Sequence, residues 1–156
     1  MTIYVDTREN PHAIRAVLAE FERQGVTVIH QKLDEGDYKT APDAPFSIDR
    51  KQSLSEVCSN LSWEKGRFQR ELARTKAKGE RLCVLVENCG DIHALADVAA
   101  WHNHRLRESP KAIDGPQLYK LMLVYAARYG VEWRFCDAKD TGREIIRLLA
   151  EHMEDE

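Results

Sequence analysis

Ile3 and Val5 alternate with polar neighbours over Thr2–Asp6, the period of a half-buried strand ending on a charged tip. The period then changes. Ile14, Val17, Leu18 and Phe21 recur at i, i+3, i+4 and i+7, which predicts a helix with one face on a sheet. Asn10 is placed to cap that helix, Pro11 suits its first turn and Gly25 can end it. Val26–Leu33 reads as a second β-rich run, broken by Asp34-Glu35-Gly36-Asp37, so that Asp37 closes a strand. Pro42 and Pro45 bracket a turn before a short strand at Phe46–Lys51.

Leu54 to about Lys78 has helical character, with a break expected near Ser62 or Gly66. Leu82–Val86 is nearly all apolar and suits a central strand covered on both faces. Asp91–Trp101 is predicted helical, and His102–Asp114, with Ser109-Pro110, a loop. Leu118, Leu121, Met122, Tyr125 and Tyr129 return to helical spacing until Gly130. Val131–Cys136 is a final strand, and Thr141-Gly142 opens a last helix with Ile145, Leu148 and Leu149 inward. The acidic tail Glu151–Glu156 is expected to fray. Strands alternating with amphipathic helices imply an α/β sandwich, its sheet at least partly parallel, in one domain.

The 156 residues can bury a substantial core, and 43% hydrophobic with 31% charged residues describes an ordinary globular protein. No apolar run is long enough to span a bilayer, and no signal-peptide pattern precedes Thr2, so a cytoplasmic protein is expected. Cys58, Cys83, Cys89 and Cys136 have no C-x-x-C spacing and read as reduced thiols rather than a zinc site. The formal net charge of −3 provides no global basic signature. Nucleic-acid binding would therefore rest on a local patch.

The candidate chemistry lies in Gly36-Asp37-Tyr38 and Asp49-Arg50-Lys51, both at predicted strand ends, together with Asp6 at the first. Open α/β sheets place their sites there. Two carboxylates offer hard oxygen ligands to a divalent cation, and an ammonium beside them can orient a water or offset phosphate charge, which suits phosphodiester hydrolysis. A plainer alternative makes Asp37 a turn residue and Asp49–Lys51 a solvated edge strand.

The order of the pieces is more specific than any one of them. Asp6-x-Arg8-Glu9, Leu33-x-x-Gly36-Asp37-Tyr38, Ile48-Asp49-Arg50-Lys51, Gly66-Arg67 and a strand ending Val86-Glu87 resemble, from Ile3 to Glu87, the XPF-type nuclease domain. That family of structure-specific DNA endonucleases carries a GD…ERK signature. The resemblance implies a restriction-endonuclease-like fold, a mixed sheet between helices in three layers. It implies Mg²⁺ or Mn²⁺ held by Asp37 and Asp49, with Asp6 or Glu9 completing the acidic set. Lys51 would position or activate the water, and Arg8 and Arg50 would flank the scissile phosphate. The chain departs from the signature in two places. Asp49 stands for its glutamate, and Ser55 occupies the position of an acid four residues after the lysine, with Glu56 one residue further. A helix-hairpin-helix module common in relatives has no room in 156 residues, so a stand-alone domain of bacterial or phage type is expected. Within the same family the alternative is a catalytically silent DNA-binding or scaffolding domain.

Lys65, Arg67, Arg70 and Arg74 lie on one predicted helix and could track DNA phosphates. Arg105, Arg107 and Lys111 form a second basic candidate, and His102-x-His104 lacks further ligands at metal spacing. Trp133 reads as core, whereas Trp63 and Trp101 could stack on bases. The resemblance also implies a possible homodimer, through Leu118–Tyr129 or the last helix.

Overall fold

The computed structural model describes residues 1–154. Strands β1 (Thr2–Val5), β2 (Thr27–His30), β3 (Tyr38–Lys39), β4 (Phe46–Lys51), β5 (Arg81–Glu87) and β6 (Glu132–Cys136) form one sheet in the order β2-β1-β3-β4-β5-β6. Only β3 runs against its neighbours; the other pairings, β1 with β2, β4 with β5 and β5 with β6, are parallel. The fold class expected from the residue pattern and the resemblance is the one observed.

Five helices cover the sheet: α1 (Arg15–Arg23), α2 (Leu54–Asn60), α3 (Lys65–Ala77), α4 (Gly115–Tyr129) and α5 (Thr141–Glu154). Alternation along β5 divides the core. Leu82, Val84 and Val86 pack with α2, α3 and α4, whereas Cys83 and Leu85 pack with α1 and α5. The break near Ser62 is present, because α2 stops at Asn60 and α3 starts at Lys65. Helix α4 carries the strongest local signals, an Asp114–Gln117 capping box, Pro116 in its first turn and Gly130 in the left-handed conformation at its end.

Five expectations shift. Helix α1 begins at Arg15, because Asn10 Oδ1 accepts from the His12 amide at 2.9 Å and shapes a turn first. Asp37 does not close β2, which ends at His30; it immediately precedes the two-residue β3. Asp91–Trp101 is not an α-helix and contains only a 3₁₀ helix at Leu95–Ala100. There Asp97 Oδ2 accepts from the amides of His93 and Ala94, both at 3.0 Å, and fixes a tight turn. Gly115 also packs against the backbone of that segment, where a Cβ would lie 2.5 Å from the Trp101 carbonyl oxygen. The expected loop His102–Asp114 holds a short 3₁₀ helix at His104–Arg107. Of the tail, Glu151–Glu154 continue α5 and Asp155 and Glu156 lie outside the described residues. No described helix is long and apolar enough to cross a membrane.

Candidate active site

Strand β4 lies inside the sheet and is buried along most of its length, so Asp49–Lys51 is not a solvated edge. Phe46 and Ile48 point toward α1 and α5. Alternation then turns Ser47, Asp49 and Lys51 toward α2 and α3. Asp37 reaches the same place through backbone pairing. Its amide donates to the Ile48 carbonyl at 2.7 Å, its carbonyl accepts from the Asp6 amide at 2.9 Å, and its Oδ2 accepts from the Arg50 amide at 2.8 Å. Gly36 permits this approach. It sits at φ +71°, and an added Cβ would meet Ser47 Cβ at 2.7 Å.

Gly36, Asp37, Asp49 and Lys51 floor a cleft of about 310 Å³. The Asp37 and Asp49 carboxyl groups are close enough to share a hydrogen bond when one is protonated. Burial, followed by the charges of Asp49 and Glu9, raises the Asp37 carboxyl well above the usual carboxylate range. Lys51 Nζ lies 3.3 Å from Asp49 Oδ2. Burial opposes the Lys51 charge, but Asp49, Glu56 and Asp37 outweigh it and move the pKa upward, so the amine is cationic at neutral pH.

The other signature residues serve the frame. Asp6 Oδ1 accepts from the Leu33 amide at 2.9 Å, while its Oδ2 receives Arg8 Nε at 2.8 Å. Arg8 also donates to the Leu33 carbonyl at 2.6 Å, although it still lines the cleft. Glu9 Oε2 receives both the Tyr38 hydroxyl and Arg50 Nε, each at 2.9 Å. The Arg50 guanidinium, only 6% exposed, bridges from Glu9 to Glu87, whose Oε1 is 3.2 Å from Nη1. Burial works against that charge, yet the two carboxylates hold it more firmly protonated than a free arginine. Arg50 is thus placed as a buried brace rather than beside open solvent. Glu56 Oε2 accepts from the Gln52 amide at 2.8 Å, which ties it to the start of α2 at the cleft rim.

Arg67, Arg70 and Arg74 line the wall of the cleft from α3. Glu71 lines it too, an acid among the arginines that the sequence analysis did not single out. Burial and then Asp49 raise the Glu71 pKa, so it faces the acidic floor. The signal was present: Arg67, Glu71 and Arg74 share the i, i+4, i+7 face, offset by one from the buried Phe68, Leu72 and Thr75. Lys65 and Arg107 line neither this cleft nor a smaller one of about 220 Å³, where Arg105 and Lys111 stand beside Trp63. The basic residues expected to meet DNA are therefore divided between two places. Trp133 is core, its indole donating to the Met122 carbonyl at 2.9 Å, and Trp101 packs against the core edge.

The floor fits a hard divalent cation. A buried Asp49 and a half-buried Asp37, with a mutual repulsion that a cation would relieve, form an oxygen donor set suited to Mg²⁺ or Mn²⁺. Among the described residues no group of three or more acidic, histidine or cysteine side chains is gathered so as to hold a metal ion, so the donor set is limited to this pair.

A model of the ERCC4 domain matches residues 5–148. Two solved structures of XPF from Aeropyrum pernix, one of them in complex with DNA, share the fold at TM-scores of 0.67. Each is 24% identical to this chain and covers 98% or 99% of it. The chain spans 65% and 66% of theirs, just under two-thirds of their length. No curated protein matches.

Proposed function

The chain belongs to the ERCC4-domain family, and on that premise we propose that it is a metal-dependent DNA endonuclease with a preference for branched or flapped DNA. The observation that carries this reading is the meeting of Asp37, Asp49 and Lys51 on the floor of one cleft walled by arginines.

In this reading Asp37 and Asp49 would hold Mg²⁺ or Mn²⁺. A bound ion supplies a water of lowered pKa and a positive charge opposite the phosphate. Lys51, cationic beside Asp49, orients the attacking water and donates to a phosphate oxygen. Arg8, tethered by Asp6 but still 61% exposed, contacts the phosphate next to the scissile one. Arg50 keeps Glu9 and Glu87 paired, so that its own amide stays aimed at Asp37. Arg67, Arg70 and Arg74 hold the DNA backbone along the wall. Asp6 and Glu9 act here as positioning groups, since the contacts they make are with the protein.

A homodimer belongs to the same proposal. Leu118, Met122 and Tyr125 are spent on the core of this chain, which leaves Leu123 and Val124 as the exposed apolar positions of α4.

The test mixes purified protein with flap, fork, junction and linear duplex DNA in Mg²⁺, Mn²⁺ or EDTA. Cutting of flap or fork DNA that needs the metal and disappears in Asp37→Ala and Asp49→Ala, both folded, is the expected outcome. Binding without any cutting in either metal would make the protein a scaffold and end the endonuclease reading.

A further inference from the structure

The smaller cleft is not explained by the chemistry of the acidic one. Trp63 stands at its edge, on the turn between α2 and α3, with 75% of its surface exposed. A tryptophan normally buries its large apolar rings, so a ring left in water is a candidate for covering by a ligand. Arg105 and Lys111 line the same cleft, and among the described residues neither forms an ion pair. The walls are fixed in advance. Asn103, itself buried, donates to the Ile113 carbonyl at 2.8 Å and accepts from the Arg105 amide at 3.0 Å. Ser62 donates to the Cys58 carbonyl at 2.7 Å and holds the end of α2. The volume of about 220 Å³ lies below the range of drug-sized sites, ~300–1,000 Å³, and suits one planar ring system.

We infer that this cleft is a subsite for an unpaired nucleotide, its base stacked on Trp63 and its phosphates held by Arg105 and Lys111. An aromatic face beside unpaired cations is the chemistry by which single strands are bound without regard to sequence. The subsite is joined to the reaction cleft by the start of α3, because Trp63 lies on the turn just before that helix, four residues ahead of Arg67 of the arginine wall. A strand running along the N-terminal end of α3 therefore meets both. The inference rests on the DNA endonuclease reading and adds to it the part of a branched substrate that the protein recognises: its single-stranded arm.

The experiment measures Kd in EDTA for a blunt duplex and for the same duplex bearing a single-stranded flap, with wild type, W63A, W63F and R105A/K111A. W63A should weaken flap binding about tenfold, the effect of losing one stacked base. Blunt-duplex affinity should stay within about twofold, and W63F should keep most of the flap affinity. Flap DNA should quench the indole fluorescence of wild type but not of W63F. Equal losses on both DNAs, no loss on either, or a change of oligomeric state in W63A with flap binding intact would overturn the subsite. Parallel cleavage in Mg²⁺ separates the two readings. A wild type that cuts DNA while W63A binds the flap normally removes the subsite alone; a wild type that neither binds nor cuts any of these DNAs removes both.

Discussion

Asp49 is buried and Asp37 half-buried on the floor of the acidic cleft, both belonging to strands or their backbone pairing, whereas Arg67, Arg70 and Arg74, on the α3 wall, are exposed. Asp37 is held through its amide, its carbonyl and its carboxylate. By contrast, Arg74 is 57% exposed and its nearest acidic partner, Glu35, is 3.9 Å away. The difference suits the roles proposed for the two surfaces. A metal ligand that can rotate away loses its ion, so rigidity is built into the sheet. Phosphates along a flexible polymer are better met by solvated charges that adjust.

The contrast can be broken in order of size. Asp49→Ala should lower cleavage about a thousandfold, the scale of losing a group that acts on the transition state, with the fold retained. Single-turnover rates on flap DNA measure it, and a loss of only a few-fold would remove Asp49 from the floor's chemistry.

Arg50→Ala should be mainly a stability defect. It leaves Glu9 and Glu87 buried without their shared cation, at a cost of about 3–5 kcal/mol in urea unfolding. A fully stable R50A protein that cannot cut would instead place that guanidinium on the phosphate.

Arg67→Ala belongs to the wall. It should weaken DNA binding a few-fold, lower the salt slope of log K by about 1, and leave unfolding unchanged. A salt slope unaltered by the change would take Arg67 off the DNA path.

Asp37→Asn sharpens the comparison with the opposite sign. The folded-state pKa of Asp37 lies above its unfolded value, so the stability it contributes is fully present below about pH 4 and is lost as pH rises through the folded pKa. Without divalent metal, D37N should therefore gain about 1 kcal/mol at pH 7, or about 2–4 °C in Tm, and lose that advantage below about pH 4. Added Mg²⁺ should stabilise the unaltered protein and not D37N. Equal melting at every pH would contradict the crowding of charge on the floor.

Much of this arrangement was legible because it is periodic. Phe46–Lys51 was read to the residue, since proline-bracketed turns and a short β-rich run leave little choice of register. The β5 run and the end of α4 at Gly130 were equally plain. What escaped has no period. Tyr38–Lys39 is two residues long, and only its pairing with β1 and β4 makes it a strand, so Asp37 was assigned to the end of the preceding run. Asp91–Trp101 has helical composition, but Asp97 spends its carboxylate on a local turn.

The site divides in the same way. Asp37, Asp49 and Lys51 share the cleft floor expected of them, while Asp6 and Glu9 are engaged by Arg8, Leu33, Tyr38 and Arg50. The Glu9–Arg50–Glu87 bridge joins residues far apart in the chain, and nothing local announces it. Glu71 could have been found from its helical spacing with Arg67, had the acid been weighed with the arginines.

Calorimetric titration of Mn²⁺ into the DNA-free protein addresses the floor without requiring turnover. One ion per chain, lost in both D37N and D49N while their circular dichroism stays that of the unaltered protein, is the predicted result. Undiminished Mn²⁺ affinity in the two folded variants would contradict it, and the two aspartates would no longer be the metal's ligands.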